Sequence, residues 1–248
     1  MISFAIPNYN RVENVINLIN KHKDDERISE IVICDDNSHY EVNERISEHI
    51  KDIPSVKLIT NEVNMGPYGN KARTVHGCSS DWVVLCDSDN FIDTDYIDVL
   101  FKESPWQADT IYCPTFAKPR FDYRGLSGLM IPNIKTMNDV NHMVYDQLGG
   151  AFLNTGNYFF NRNNYIEVAE QGMEYCLDKH SCDVIAFNYF WVESGKKMKC
   201  VGGLEYIHDH ESSDSIYRIE TTRDPMKAHR RLQEINHIIN QTAENTIC

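Results

Sequence analysis

The sequence predicts an α/β protein with a mostly parallel sheet covered by helices on both faces. Two observations predict it. Short apolar runs alternate with helical patterns through the first hundred residues. Three of those runs also stop at polar clusters: PNYNR after the first, DDNS after the second and DSDN after the fourth. Sheets of this kind bind ligands at the carboxyl ends of their strands, which is where these clusters fall.

In chain order, residues 2–6 form a first strand ending at Pro7. Residues 13–20 carry Val15, Ile16, Leu18 and Ile19 at helical spacing. Residues 31–34 are a second strand, 42–50 a helix and 56–60 a third strand. Residues 70–78 are helical, and 82–86 run as a fourth strand into the DSDN cluster. The second half is less regular. A helix is expected over 95–101 and a strand over 110–115. Residues 118–132 mix Pro, Gly, Arg and aromatics and read as a long loop or flap. Residues 157–161 are a strand and 165–171 a helix; 183–194 are a strongly apolar helix ended by Gly195. Two strands over 197–201 and 204–208 and a basic amphipathic closing helix over 224–239 complete the chain. No internal repeat or low-complexity linker interrupts it, so the expectation is one domain over 1–248.

Composition narrows the function. The chain has 248 residues, 42% of them hydrophobic, enough for a sizeable core. Its 24 Lys and Arg against 37 Asp and Glu give a net charge of −13, which argues against a nucleic-acid or anionic-membrane surface. The most apolar runs, at 31–34 and 83–86, are far too short to span a bilayer. The start, MISFAIPNYN, lacks the basic opening and long apolar middle of a signal peptide. A cytoplasmic protein with no integral membrane segment is expected, meeting any lipid-linked acceptor peripherally. The eight cysteines form no CxxC pair, and the expectation is reduced thiols and no zinc site.

Asp87 and Asp89 stand one residue apart in DSDN. On an extended segment they would point the same way and repel, so a cation should sit between them or water should screen them. Carboxylate oxygens suit hard ions such as Mg²⁺ and Mn²⁺, which also bind substrate phosphates; a solvated turn is the plainer reading. An EF-hand over DSDNFIDTDYID fails, because Ile92 stands where the loop needs Gly and Phe91 occupies a ligand position. PNYNR has no glycine and GxxxxGK[ST] is absent, so dinucleotide and P-loop sites are disfavoured. In DDNS, Asp36 could accept a base N–H while Tyr9 offers a ring to stack on that base. In NMGPYGNKAR, Lys71 and Arg73 open a helix, where cations are unfavourable without an anionic partner such as diphosphate.

Taken together and in this order, "SFAIPNYNR", "ISEIVICDDNS", Asn64-Met65-Gly66 and "SSDWVVLCDSDNF" resemble glycosyltransferase family 2, the inverting nucleotide-sugar transferases with the GT-A fold. The resemblance is close over 1–100 and looser beyond. It implies a Rossmann-like sheet in a single domain, with a nucleotide-binding half over 1–100 and an acceptor-binding half over 101–248. It also implies a donor site formed by Pro7, Tyr9, Asn10, Asp36, Lys71, Asp87, Ser88 and Asp89. Asp89 would be the main metal ligand, for Mn²⁺ or Mg²⁺, and Asp87 would meet the ribose and the metal. The family pattern near Lys71 is Ala-Arg-Asn; Asn70-Lys71-Ala72-Arg73 departs from it and leaves Lys71 and Arg73 both open as the nucleotide contact.

The family's base lies in a Glu-Asp pair at a helix start, with a glycine and a strand following. Ser181-Cys182-Asp183 stands there, with Cys182 where Glu is usual. Asp183 is thus the implied base, with Asp178 as its alternative and a helix N-cap as its structural role. A histidine after the last strand serves as a further metal ligand in some relatives, which points to His208, then His210. The Ser-rich stretch after them could close over the diphosphate. Asn157 and Arg162 fall near where relatives meet sugar or acceptor. The implied activity is transfer from a nucleoside diphosphate sugar, UDP-sugar favoured because Asp36 suits a pyrimidine imide, to a hydroxyl of a glycan or glycoconjugate. The rivals are a sugar-nucleotide pyrophosphorylase, which needs a glycine-rich loop after the first strand, and a non-catalytic nucleotide-sugar-binding protein of the same fold.

Overall fold

The computed structural model describes residues 1–119, 121–137, 139–140, 157–173 and 183–208. The expected closing helix, His210 and Asp178 lie outside these residues, as do Ser181 and Cys182. The strands are β1 (Ile2–Asn8), β2 (Ile28–Asp35), β3 (Val56–Thr60), β4 (Trp82–Leu85), β5 (Asn90–Phe91), β6 (Thr110–Lys118), β7 (Phe121–Asp122), β8 (Met130–Ile131), β9 (Phe159–Asn161) and β10 (Lys197–His208). The helices that position the site are α1 (Val12–His22), α2 (Tyr40–Ile50), α3 (Gly66–Gly77), α4 (Thr94–Lys102), α5 (Arg162–Gly172) and α6 (Asp183–Glu193).

Among the described residues the ten strands join one sheet, ordered β3-β2-β1-β4-β9-β6-β10-β5, with β7 on β6 and β8 on β10. The first four strands are parallel, in register from Ser3↔Glu30 and Ser3↔Val83 outward. Side-chain alternation along β1 sets the two faces. Ile2, Phe4 and Ile6 pack with Val15 and Leu18 of α1, Ile46 of α2 and Tyr96 and Leu100 of α4. Ala5, between them in sequence, packs with Ala72 of α3, Tyr165 of α5 and Phe187 of α6. Two apolar cores therefore sandwich the sheet, as the alternating pattern predicts.

Three expectations change. The parallel run stops at β4, because β9 enters antiparallel between β4 and β6. The two strands expected over 197–208 are one, β10, whose register slips between Val201 and Glu205. Gly203 there has φ +82, a conformation that costs glycine nothing and lets the strand bend without ending. The expected loop at 118–132 contains β7, a 3₁₀ turn at Arg124–Leu126 and β8, which fold back on β6 and β10. Among the described residues, five cysteines are free and buried, in line with reduced thiols. No helix among them is long and apolar enough to cross a membrane.

Candidate active site

Four loops meet at the carboxyl ends of β1 to β4. The chain turns sharply after β1 and β2, at Asn10 (φ 58) and Asn37 (φ 61), residues that tolerate the left-handed region. The two turns are tied together. Asn10 N–H donates to Ser38 Oγ at 2.7 Å, and His39 N–H donates to Asn10 Oδ1 at 3.0 Å. Asp35 is the knot: its fully buried carboxylate accepts from Asn8 Nδ2, Ser38 N, Ser38 Oγ and Asn43 Nδ2 at 2.5–2.9 Å. Pro7 is buried within β1, while Tyr9 beside it is 42% exposed.

Asp36 turns the other way. Its carboxylate accepts from Met65 N at 2.6 Å, Gly66 N at 2.9 Å and Asn61 Nδ2 at 3.0 Å. The N-cap residue Met65 offers no side-chain acceptor; Asn64 Oδ1 accepts the Gly66 N–H at 3.2 Å, and Asp36 satisfies from a distance the donors that a helix start leaves open. Gly66 (φ +76) is what brings its N–H to face Asp36. The sequence offered this carboxylate as an acceptor for a base N–H, and both of its oxygens also accept within the fold. Asn70 then locks α3 to the sheet, donating to the carbonyls of Asn8 and Cys34 at 3.2 and 3.1 Å.

One turn into α3, Lys71 and Arg73 part company. Arg73 faces solvent and Lys71 is buried. The Lys71 ammonium lies 2.7 Å from Asp183 Oδ2, at the start of α6, and 3.1 Å from Asp87 Oδ2. Burial by itself would lower the Lys71 pKa, but the two carboxylates outweigh it and hold the ammonium charged, above the usual range. Tyr68, Leu85, Tyr158, Tyr165, Val184 and Phe187 wall a small cavity around Lys71 and Asp183, so the ion pair sits where water screens it poorly.

The DSDN segment is a turn, not an extended strand, because Asn90 N–H donates to Asp87 O at 2.9 Å. The two carboxylates therefore take separate cations: Asp87 meets Lys71, and Asp89 Oδ2 meets Arg11 Nη2 at 3.3 Å. Arg11 escaped the sequence reading, although it stands inside PNYNR. Ser88 between them is buried. His208 Nδ1 lies 2.7 Å from Asn90 Oδ1, which fixes the ring beside the turn, and β10 pairs His208 with Asn90 in register. Asn157 Oδ1 accepts the Asp87 N–H at 2.8 Å, and its Nδ2 is buried with no hydrogen-bond partner among the described residues. Arg162, expected near the site, instead donates to the carbonyls of Val75 and His76 at the far end of α3.

The model of the family described as Glycosyl transferase family 2 matches residues 3–167. A comparison with curated protein sequences found no significant match. Among solved structures, the chain is similar to S. aureus TarS 1-349 in complex with UDP-GlcNAc, at 15% identity and a TM-score of 0.61, over 94% of this chain and 65% of that one. It is also similar to mannosyltransferase PcManGT from Pyrobaculum calidifontis in complex with GDP-Man and Mn²⁺, at 12% identity and a TM-score of 0.60, over 90% and 60%. A third is glucosyl-3-phosphoglycerate synthase from Mycobacterium tuberculosis with Mn²⁺, UDP and glucosyl-3-phosphoglycerate, at 15% identity and a TM-score of 0.54, over 95% and 79%. The chain spans less than two thirds of the first two proteins' length.

Proposed function

Because this chain belongs to glycosyl transferase family 2 and is a glycosyltransferase, we propose that it moves a sugar from a nucleoside diphosphate donor, UDP-sugar favoured, to a hydroxyl of a glycan or glycoconjugate, with inversion. The observation that carries this reading is the convergence of Lys71, Asp87 and Asp183 from three separate elements. The similarity to structures holding UDP-GlcNAc, or UDP with Mn²⁺, supports a uridine donor. In the proposal residues 1–100 form the donor half and 101–248 the acceptor half of one domain.

The donor lies across the carboxyl ends of β1 to β4. Tyr9 stacks on the base, with Pro7 and Asn10 shaping the loop beneath it, and Asp36 holds the start of α3 against the nucleotide. Asp87, Ser88 and Asp89 face the ribose and diphosphate, and Lys71 is the cation nearest to them. Among the described residues no three His, Cys, Asp or Glu groups stand close enough to hold an ion unaided. Hard cations, however, bind through one or two carboxylates together with substrate phosphates. Asp89 and Asp87 fit that pattern and would hold Mn²⁺ or Mg²⁺ with the diphosphate, with His208 the further ligand that the family resemblance implies. Such an ion supplies Lewis acidity to the leaving group.

The acceptor hydroxyl attacks the anomeric carbon from the face opposite the diphosphate. A new C–O bond forms as the bond to the diphosphate oxygen breaks, and Asp183 takes the hydroxyl proton. Its place at the start of α6, buried beside Lys71, suits a group that must be held in position. The test is a pair of variants. Asp89→Ala is expected to abolish both turnover and metal-dependent nucleotide binding. Asp183→Asn is expected to abolish turnover while donor still binds in calorimetry. Near-normal turnover by Asp183→Asn would remove it as the base.

A further inference from the structure

We propose that Lys71 is an internal cation that holds Asp87 and Asp183 together until a metal-bearing donor displaces it, so that metal entry and exposure of Asp183 are one event. This rests on the donor and base assignments above. Lys71 comes from α3, Asp87 from the turn after β4 and Asp183 from α6. One ammonium at 3.1 and 2.7 Å from the two carboxylates joins them. Both Lys71 and Asp183 are about nine-tenths buried. A buried charge is stable only while paired, so without ligands Lys71 belongs between these two oxygens.

A divalent ion on Asp87 changes that balance. It would sit within a few ångströms of the ammonium, among apolar walls that screen the repulsion weakly. Lysine is a point charge on a flexible stem, so Lys71 can follow the negative charge to the incoming diphosphate oxygens. Asp183 Oδ2 then loses its partner and is open to the acceptor hydroxyl. The Arg11–Asp89 pair holds the second carboxylate of the turn in the same way. Two consequences follow. The protein without nucleotide binds metal poorly, since its own cations already occupy the carboxylates. The base is also covered until donor arrives.

Mn²⁺ titration followed by EPR, with no nucleotide present, tests this on wild type, Lys71→Gln and Lys71→Arg. Removing the competing charge is expected to tighten Mn²⁺ binding by about tenfold or more in Lys71→Gln, while Lys71→Arg stays as weak as wild type. Adding Asp89→Ala to Lys71→Gln should abolish the gain, placing the ion at the DSDN turn. Equal or weaker Mn²⁺ affinity in folded Lys71→Gln overturns the inference, as does a gain that survives Asp89→Ala. If Lys71→Gln does not fold, the Nζ resonance of Lys71 in ¹⁵N-lysine-labelled wild type replaces it. That signal should move when Mg²⁺ and UDP, or GDP where UDP does not bind, are added together. A signal that stays in place while the nucleotide binds overturns the inference and leaves the donor reading intact. If no nucleoside diphosphate binds with Mn²⁺ or Mg²⁺, the donor reading fails, and this inference with it.

Discussion

Glu30 shows how far one side chain can be from the candidate site and still hold it up. It lies at the opposite ends of the strands, buried, and accepts from Ser3 Oγ at 2.6 Å, Ser79 Oγ at 2.7 Å, the Ser79 amide and Lys57 Nζ. Burial works to raise its pKa, but Lys57, Ser3 and Ser79 outweigh it and hold the carboxyl at about 2. The lowered native value means that its stabilisation is complete above the unfolded-state pKa near 4.3 and is lost as pH falls from there through about 2. The size is on the order of 3 kcal/mol. Urea unfolding across that window should show wild type losing more stability than Glu30→Gln, by about that amount; parallel pH profiles would sink the idea. Nothing in the sequence marks Glu30, because its partners come from β1, β3 and the loop before β4, which only folding brings together. Lys71 was legible as a candidate but not as the choice over Arg73. The helical register decides that one is buried and the other exposed.

At the scale of elements, α3 owes its start to another loop. Asp36 takes the amides of Met65 and Gly66, and Asn61 completes the contact. Asp36→Ala should therefore cost about 1–3 kcal/mol and speed hydrogen exchange at those two amides. Unchanged protection there would mean that the helix starts without its cap. Because α3 carries Lys71, a loosened start should also weaken nucleotide binding in the same variant. Element existence was legible from β1 to β4, where apolar runs and helical spacing alternate cleanly. Boundaries were less so: α3 begins at Gly66 rather than 70, because the cap that starts it is remote in sequence. The pairings of β5, β7 and β8 were not legible, since two-residue strands carry no period to read.

For the whole molecule, ligand linkage is the direct check. A ligand that binds only the native state raises its stability by about 2.7 kcal/mol at a hundred times Kd. A thermal-shift screen of nucleoside diphosphates and their sugars, each with Mn²⁺ and with EDTA, should find a base-selective shift that EDTA removes. A well-folded sample that shifts with none of them would leave the DSDN turn without a nucleotide role. The sequence by itself determined the α/β class, the family and the clusters gathered at the strand ends, because each is a local pattern of apolar runs closed by polar turns. The tertiary structure decided how the charges are shared. Asp87 and Asp89 called for a cation or for solvent, and packing brings them two cations of the chain's own, Lys71 and Arg11. Asp36 was read as a base contact, and packing gives it the start of α3 to hold as well. Which charges meet depends on the distance and burial of groups far apart in the chain, and packing sets both.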